Sequence, residues 1–329
     1  MTDTVLEVQN LSKNFELPRS FFDAARRRPP QKLIAVDQVN LKVERHETLG
    51  LVGESGCGKT TLGRTILWLY EPTGGKIIFE GQDITHKNER DLQPIRGKMQ
   101  VVFQDPYSSL NPRMTVRQAI REVLRFHNVC PPGEEEATLQ SLLTMVGLNE
   151  AAADKYPRTF SGGQRQRIGL ARALAVRPIF LVADEPVSAL DVSIQAQILN
   201  LLADLRQELG LTMLFIAHEL SVVKHVSSRV AVMYLGQVVE TGTTDEVFEN
   251  AQHPYTEGLL RALPRPEPGR RHRTAALEGD VPSPLNLPSG CRFHTRCPIA
   301  QGICKTTAPP LRRLSPTHEV LCHLRPTPL

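Results

Sequence analysis

The stretch Gly53-Glu54-Ser55-Gly56-Cys57-Gly58-Lys59-Thr60 satisfies the pattern G-x-x-x-x-G-K-[ST] at every fixed position. An apolar run, Thr48-Leu49-Gly50-Leu51-Val52, predicts a buried strand leading in, and Thr61-Leu62-Gly63-Arg64-Thr65-Ile66-Leu67 predicts the first turns of a helix leading out. Glycines let the backbone wrap a polyphosphate, successive N–H groups and the positive helix end face its charge, and Lys59 adds a mobile cation. The Thr60 hydroxyl falls where it would ligate Mg²⁺. A glycine-rich turn without a ligand is the alternative, and the flanking strand and helix weigh against it. The pattern implies a bound nucleoside triphosphate.

The 329 residues suit one large domain, or one domain and a smaller appendage. A chain 40% hydrophobic and 22% charged is ordinary for a globular protein, and a net charge of +4 does not by itself argue for nucleic acid. No apolar run approaches the roughly 18 residues that span a bilayer, and the N-terminus lacks the apolar core of a signal peptide. The expectation is a cytoplasmic chain that reaches a membrane only through a partner.

Val5-Leu6-Glu7-Val8 begins a strand-like alternation, interrupted from Leu17 to Lys32 by a basic, proline-bearing insertion holding Arg26-Arg27-Arg28-Pro29-Pro30. That insertion reads as a solvated loop or as a contact with lipid headgroups or a membrane partner. Ile34–Val43 resumes the alternation, and Pro72-Thr73-Gly74-Gly75 predicts a turn before the strand Lys76–Phe79. Met99–Gln104 predicts a strand ended by Asp105-Pro106; Gln104 is either a capping residue or an amide ligand of a metal–nucleotide. Thr115 to about Asp154 reads as helical, broken at Pro131-Pro132-Gly133.

Ser161-Gly162-Gly163-Gln164 opens a further helix, and a serine N-cap followed by two glycines presents bare backbone donors at a positive helix end. Each glycine costs the helix roughly 1 kcal/mol, which asks for a reason. Ile179–Asp184 predicts a buried strand ending in a carboxylate placed for Mg²⁺. Glu185 beside it can polarise water against a γ-phosphate. Ser188–Asp191 is a short turn, Ile194–Leu209 is helical, and Leu211–Ala217 is a strand with His218 at its end. Alternating strands and helices with functional residues at strand ends predict a parallel α/β sheet with the ligand along its carboxyl edge.

Glycine loop, strand-end glutamine, Ser-Gly-Gly-Gln, Asp-Glu and strand-end histidine occur together and in this order over residues 5 to 250. In this the chain resembles the nucleotide-binding subunit of an ATP-binding-cassette transporter. The resemblance implies that Gly53, Glu54, Ser55, Gly56, Cys57, Gly58, Lys59, Thr60 and Thr61 bind ATP, with Phe15 stacking on adenine where tyrosine is more usual. It further implies Gln104 as the Q-loop, Ser161, Gly162, Gly163 and Gln164 as the signature, and Asp184 as a Mg²⁺ ligand with Thr60 and Gln104. Glu185 would be the catalytic base, Asp191 part of the D-loop, and His218 the switch histidine. The implied fold is an ABC-type nucleotide-binding domain over 1–250: a parallel sheet core, an antiparallel β subdomain, and a helical subdomain at about 105–175. Residues 251–329 would form a small cysteine-bearing regulatory domain.

His253-Pro254-Tyr255-Thr256 and Pro282–Cys291 are similar to the C-terminal region of bacterial dipeptide/oligopeptide importer ATPases, particularly the second of a pair. Nickel and glutathione importers share that tail, and a soluble ABC-type ATPase acting on nucleic acid shares the nucleotide chemistry. The implied partners are a second ATPase subunit, expected to be a paralogue, and two transmembrane permeases, with an extracytoplasmic peptide-binding protein engaged indirectly and no nucleic acid. The implied location is the cytoplasmic face of the bacterial inner membrane. One chain carries one phosphate loop and one signature, so each ATP would be held between two chains.

Cys291, Cys297, Cys304 and Cys322 crowd the tail. Four cysteines suit a [4Fe–4S] cluster or tetrahedral zinc, although the spacing matches neither C-x₂-C pairs nor a ferredoxin run; free structural thiols are the third reading. His294, His318 and His323 are nearby alternative ligands.

Overall fold

The computed structural model describes residues 3–19, 29–105, 107, 109–263 and 279–325. Arg26, Arg27 and Arg28 of the basic insertion, with Pro106 and Ser108, lie outside the described residues. The first half of the chain runs β1 (Thr4–Glu16), β2 (Lys32–Glu44), β3 (Thr48–Val52), α1 (Lys59–Ile66), β4 (Gly74–Phe79), β5 (Gln82–Asp83), α2 (Glu89–Lys98) and β6 (Met99–Val102). It continues through α3 (Val116–Phe126), α4 (Glu135–Met145), α5 (Gly162–Leu174), β7 (Phe180–Asp184), α6 (Val192–Leu209) and β8 (Thr212–Ala217). The remainder is α7 (Leu220–Val226), β9 (Arg229–Tyr234), β10 (Gln237–Thr243), α8 (Thr244–Glu249), α9 (Pro254–Arg261), α10 (Gly302–Thr306), β11 (Leu311–Arg313) and β12 (Glu319–Leu321). Contacts divide these elements into two compact units.

The first unit gathers residues 1–5, 43–48 and 86–216. Its centre is the parallel ribbon β6–β7–β8, in register Val101↔Val182 and Val182↔Leu214. Every residue of β7 and β8 is buried, the expected reading for a parallel strand covered on both faces. The helical segment follows the sequence: α3 is capped by Thr115 and Gln118 acting reciprocally, and α4 begins after the Pro131-Pro132-Gly133 break. Arg117 pairs with Asp154 at 2.8 Å, and Arg121 with Glu136 at 2.7 Å, fixing the charged side of these helices.

The second unit gathers residues 6–42, 49–85 and 217–329. One sheet has the order β2-β1-β4-β5, with β1 and β4 antiparallel in register Leu6↔Phe79 and Val8↔Ile77. The alternation read in β1 buries Leu6 and Val8, whereas β3 is buried throughout. β3 pairs with β9 in parallel, and β9, β10, β12 and β11 follow as antiparallel neighbours. The described part of the tail therefore belongs to the same unit as Gly53–Thr60. Among the described residues no helix is long and apolar enough to cross a membrane.

Buried polar contacts tie the tail in. Glu240, 1% exposed, accepts from the backbone N–H groups of Gln252 and His253 at 2.7 and 2.9 Å, and His318 Nε2 lies 2.8 Å from its carboxylate. His253 caps α9 by accepting the Tyr255 N–H on Nδ1 at 3.1 Å. Burial lowers the His253 pKa to about 4, with Glu240 opposing that fall and Arg325 adding to it. The folded chain therefore keeps His253 neutral while an unfolded chain charges it below about 6.5. Its contribution to stability is whole above pH 6.5, and on the order of 3 kcal/mol is lost as pH falls towards about 4. Chemical unfolding at pH 7 and at pH 4.5 checks this. His253→Asn, which retains a capping acceptor but does not titrate, is expected to flatten the profile.

Candidate functional site

Gly53 to Thr60 joins β3 to α1 as the sequence predicts. Gly53, Gly56 and Gly58 have φ of 155°, 79° and 109°. At Gly58 a Cβ would also sit 2.1 Å from the Ala35 carbonyl oxygen, so only glycine permits this approach. α1 begins directly at Lys59, so its first N–H groups open onto the loop. Lys59 is 4% exposed, and its ammonium donates to the loop's own carbonyls, Gly53 O at 2.8 Å and Glu54 O at 3.1 Å. Cys57 Sγ lies 3.9 Å from the same ammonium; burial raises the thiol's pKa, against the attraction of Lys59. Ser55 and Gly56 are exposed at the mouth of the loop.

Elsewhere in this unit, Phe15 is half-buried, with Tyr70 edge-on at 5.4 Å between ring centroids and the Lys13 ammonium 5.0 Å over its ring. His218 directly follows β8, and its Nε2 lies 3.8 Å from Glu219 Oε1.

The other unit places the carboxylates. Asp184 ends β7 and is 2% exposed. Glu185, the next residue, adopts φ 45°, a left-handed conformation that costs a non-glycine residue about 1–3 kcal/mol. Its N–H donates to Ile216 O at 3.0 Å, and its carbonyl accepts the Ser188 hydroxyl at 3.1 Å. Those bonds hold the backbone bend at Glu185. Gln104, two residues beyond β6, donates its amide Nε2 to Glu185 Oε2 at 2.9 Å. The sequence left Gln104 between a cap and a metal ligand; here it is the partner of the carboxylate.

Ser161 and Gln164 form a reciprocal capping box at the start of α5, Ser161 Oγ accepting at 3.3 Å and Gln164 Oε1 accepting at 3.1 Å. The glycines between them have a packing reason inside the chain. A Cβ on Gly163 would lie 2.4 Å from Ile194 Cγ2, and one on Gly162 3.1 Å from Leu190 Cδ2. The start of α5 thus packs against the Ser188–Asp191 turn and the start of α6. Asp191 is the N-cap residue of α6 without a side-chain capping bond; Gln195 Nε2 steadies the turn by donating to Val187 O and Leu190 O at 3.1 and 3.0 Å.

The iron–sulfur expectation is not supported. The four tail cysteines carry free thiols, and among the described residues no group of three or more His, Cys, Asp or Glu is arranged to hold a metal. Burial pushes the Cys291 thiol up to about 11, and Cys304, Cys322 and Cys297 add to the rise. The thiols are thus neighbours, and burial raises the Cys297 thiol as well. The histidines are committed elsewhere: His294 Nδ1 to Cys291 O at 2.8 Å, His323 Nε2 to Thr307 O at 2.9 Å, and His318 to Glu240.

Two groups escaped the sequence reading. Tyr255 OH accepts the Glu54 N–H at 2.8 Å, and Arg296 grips the Glu54 carboxylate with both guanidinium branches. Both lie in the tail, and nothing local in the sequence announces a partner more than 200 positions away.

Residues 36–188 match the ABC transporter family, and residues 239–304 match the oligopeptide/dipeptide transporter C-terminal region. The chain is 48% identical over 325 residues to the oligopeptide transport ATP-binding protein AppF of Bacillus subtilis (strain 168), covering 98% of each chain. It is 47% identical to the probable peptide ABC transporter ATP-binding protein y4tS of Sinorhizobium fredii, covering 99% of this chain and 91% of that one. Among solved structures, a dimeric post-hydrolysis ATP-binding cassette bound to ADP and Pi superposes with a TM-score of 0.63 at 27% identity, over 73% of this chain and 98% of that one.

Proposed function

The chain belongs to the ABC transporter ATP-binding proteins of the oligopeptide/dipeptide type, and from this premise we propose that it hydrolyses ATP to power uptake of dipeptides or oligopeptides. One observation carries the chemistry: a buried lysine held by the carbonyls of a glycine loop at the first residue of a helix. On this reading the β- and γ-phosphates displace the carbonyls from Lys59, and the N–H groups of the loop and of α1 take up the remaining charge. Thr60 and Asp184 offer hard oxygen ligands suited to Mg²⁺, with Gln104 as a further amide oxygen. The metal, when bound, neutralises charge developing on the γ-phosphate.

Glu185 accepts a proton from the attacking water, and His218 hydrogen-bonds the γ-phosphate. Gln104 keeps the Glu185 carboxylate bonded until nucleotide draws the two apart, which gives the Q-loop a means of sensing the site. Phe15 stacks on adenine. Ser161–Gln164 and Asp191 face the γ-phosphate held by a second ATPase subunit, a paralogue on this reading, so ATP closes the pair and hydrolysis opens it. Residues 1–250 supply this clamp, with 105–175 transmitting its motion and 251–329 regulating it. The chain works peripherally, on the cytoplasmic face of the inner membrane, with two permease subunits that receive peptide from a binding protein. Co-expression with candidate permeases decides this: phosphate release stimulated by peptide-loaded binding protein in vesicles supports it, and a chain that hydrolyses ATP yet never co-purifies with membrane subunits refutes it.

A further inference from the structure

Glu54 is an awkward residue for a loop that binds polyphosphate, because its carboxylate adds a negative charge beside the anion. The tail answers that charge. Arg296 Nη1 donates to Glu54 Oε2 at 2.7 Å and Nη2 to Oε1 at 3.0 Å, a two-branched pair spanning 242 positions. The Arg296 side chain is 4% exposed and that of Glu54 26%, so the pair is buried on the arginine side. Tyr255, fully buried, accepts the Glu54 N–H and so commits that backbone donor away from any ligand. Behind them Tyr234, Tyr255 and Phe293 pack ring to ring with centroids 4.6 to 5.4 Å apart, and the Arg296 guanidinium lies 5.9 Å over the Tyr234 ring. Arg292, from the same turn as Phe293 and Arg296, bonds Asp37 and the Leu235 carbonyl. Gly236, in the turn between β9 and β10, donates its N–H to Cys57 O in the loop at 2.8 Å. The loop is thus held on one side by groups from Tyr234 onward.

We propose that the C-terminal tail is a working part of the ATP site: Arg296 neutralises and orients Glu54, Tyr255 fixes the loop backbone, and ATP affinity depends on both. This rests on Gly53–Thr60 being the phosphate site. Arg296 and Tyr255 are positioning residues, since they reach the nucleotide only through Glu54. Losing Arg296 alone leaves a carboxylate facing the phosphates; losing both charges removes the repulsion.

The experiment is equilibrium binding of a ribose-labelled fluorescent ATP to the full chain without magnesium, with unfolding midpoints measured alongside. Arg296→Gln is expected to weaken binding about tenfold, and adding Glu54→Gln to it recovers most of that loss, a non-additive pair. With magnesium, KM for ATP rises while kcat at saturation stays within about twofold. Unchanged affinity in Arg296→Gln, or a double variant no tighter than the single, overturns the proposal. Should Arg296→Gln not fold, Tyr255→Phe removes only the acceptor and is expected to weaken binding about threefold or more, the scale of one hydrogen bond; wild-type affinity there overturns it equally. Lys59→Ala separates the two readings: if it too binds like wild type, the phosphate-loop reading itself has failed.

Discussion

Glu185→Gln is expected to stop turnover while leaving ATP binding intact, with kcat falling by about 10²–10⁴-fold, the range for loss of a positioned general base. The geometry makes this substitution clean. The residue's backbone bend is held by Ile216 and Ser188 through main-chain atoms that the change does not touch. A glutamine at this position still offers an oxygen to Gln104 Nε2, which reaches the carboxylate at 2.9 Å in the native chain. What disappears is the capacity to take a proton from water. Phosphate release, set beside nucleotide binding and particle size, checks it. The variant should bind ATP, persist as a closed pair, and release almost no phosphate; wild-type release rates would remove Glu185 from the reaction.

The second large effect lies at Lys59. Its ammonium is buried and satisfied by two carbonyls of its own loop, so ATP gains it by exchange rather than from bulk water. A charge-assisted bond of this kind contributes about 1.5–3 kcal/mol, so Lys59→Ala is expected to weaken ATP binding by roughly ten- to a hundredfold. Gly53 and Gly58 are also packed closely against Met233 and Ala35, contacts that do not involve the lysine, so the fold should survive. Isothermal titration decides the matter, and undiminished affinity would mean the loop grips something else.

Local patterns carried a large share of the site because the chemistry is local. A phosphate loop needs its glycines, lysine and helix start in consecutive positions, and a buried parallel strand must be apolar from end to end. Hence β3, β7 and β8 appeared within a residue of their observed ends, and the Ser161 cap was legible from a serine ahead of two glycines. The packing reason for Gly162 and Gly163 was not legible, since Ile194, which crowds Gly163, belongs to the next helix. Nor was the partner of Gln104, which lies 81 positions away, just past the end of β7. The number of tail cysteines invited a metal that the described thiols are not arranged to hold, because ligand count can be read from a sequence while ligand geometry cannot.

The sequence by itself determined that this chain binds a triphosphate and which family it joins, since both are written in runs of a few residues whose spacing is the chemistry. Only the tertiary structure decided that the loop has a keeper. Arg296 and Tyr255 come to Glu54 from 242 and 201 positions along the chain, and such proximity is made by strand pairing and ring packing rather than by any local pattern.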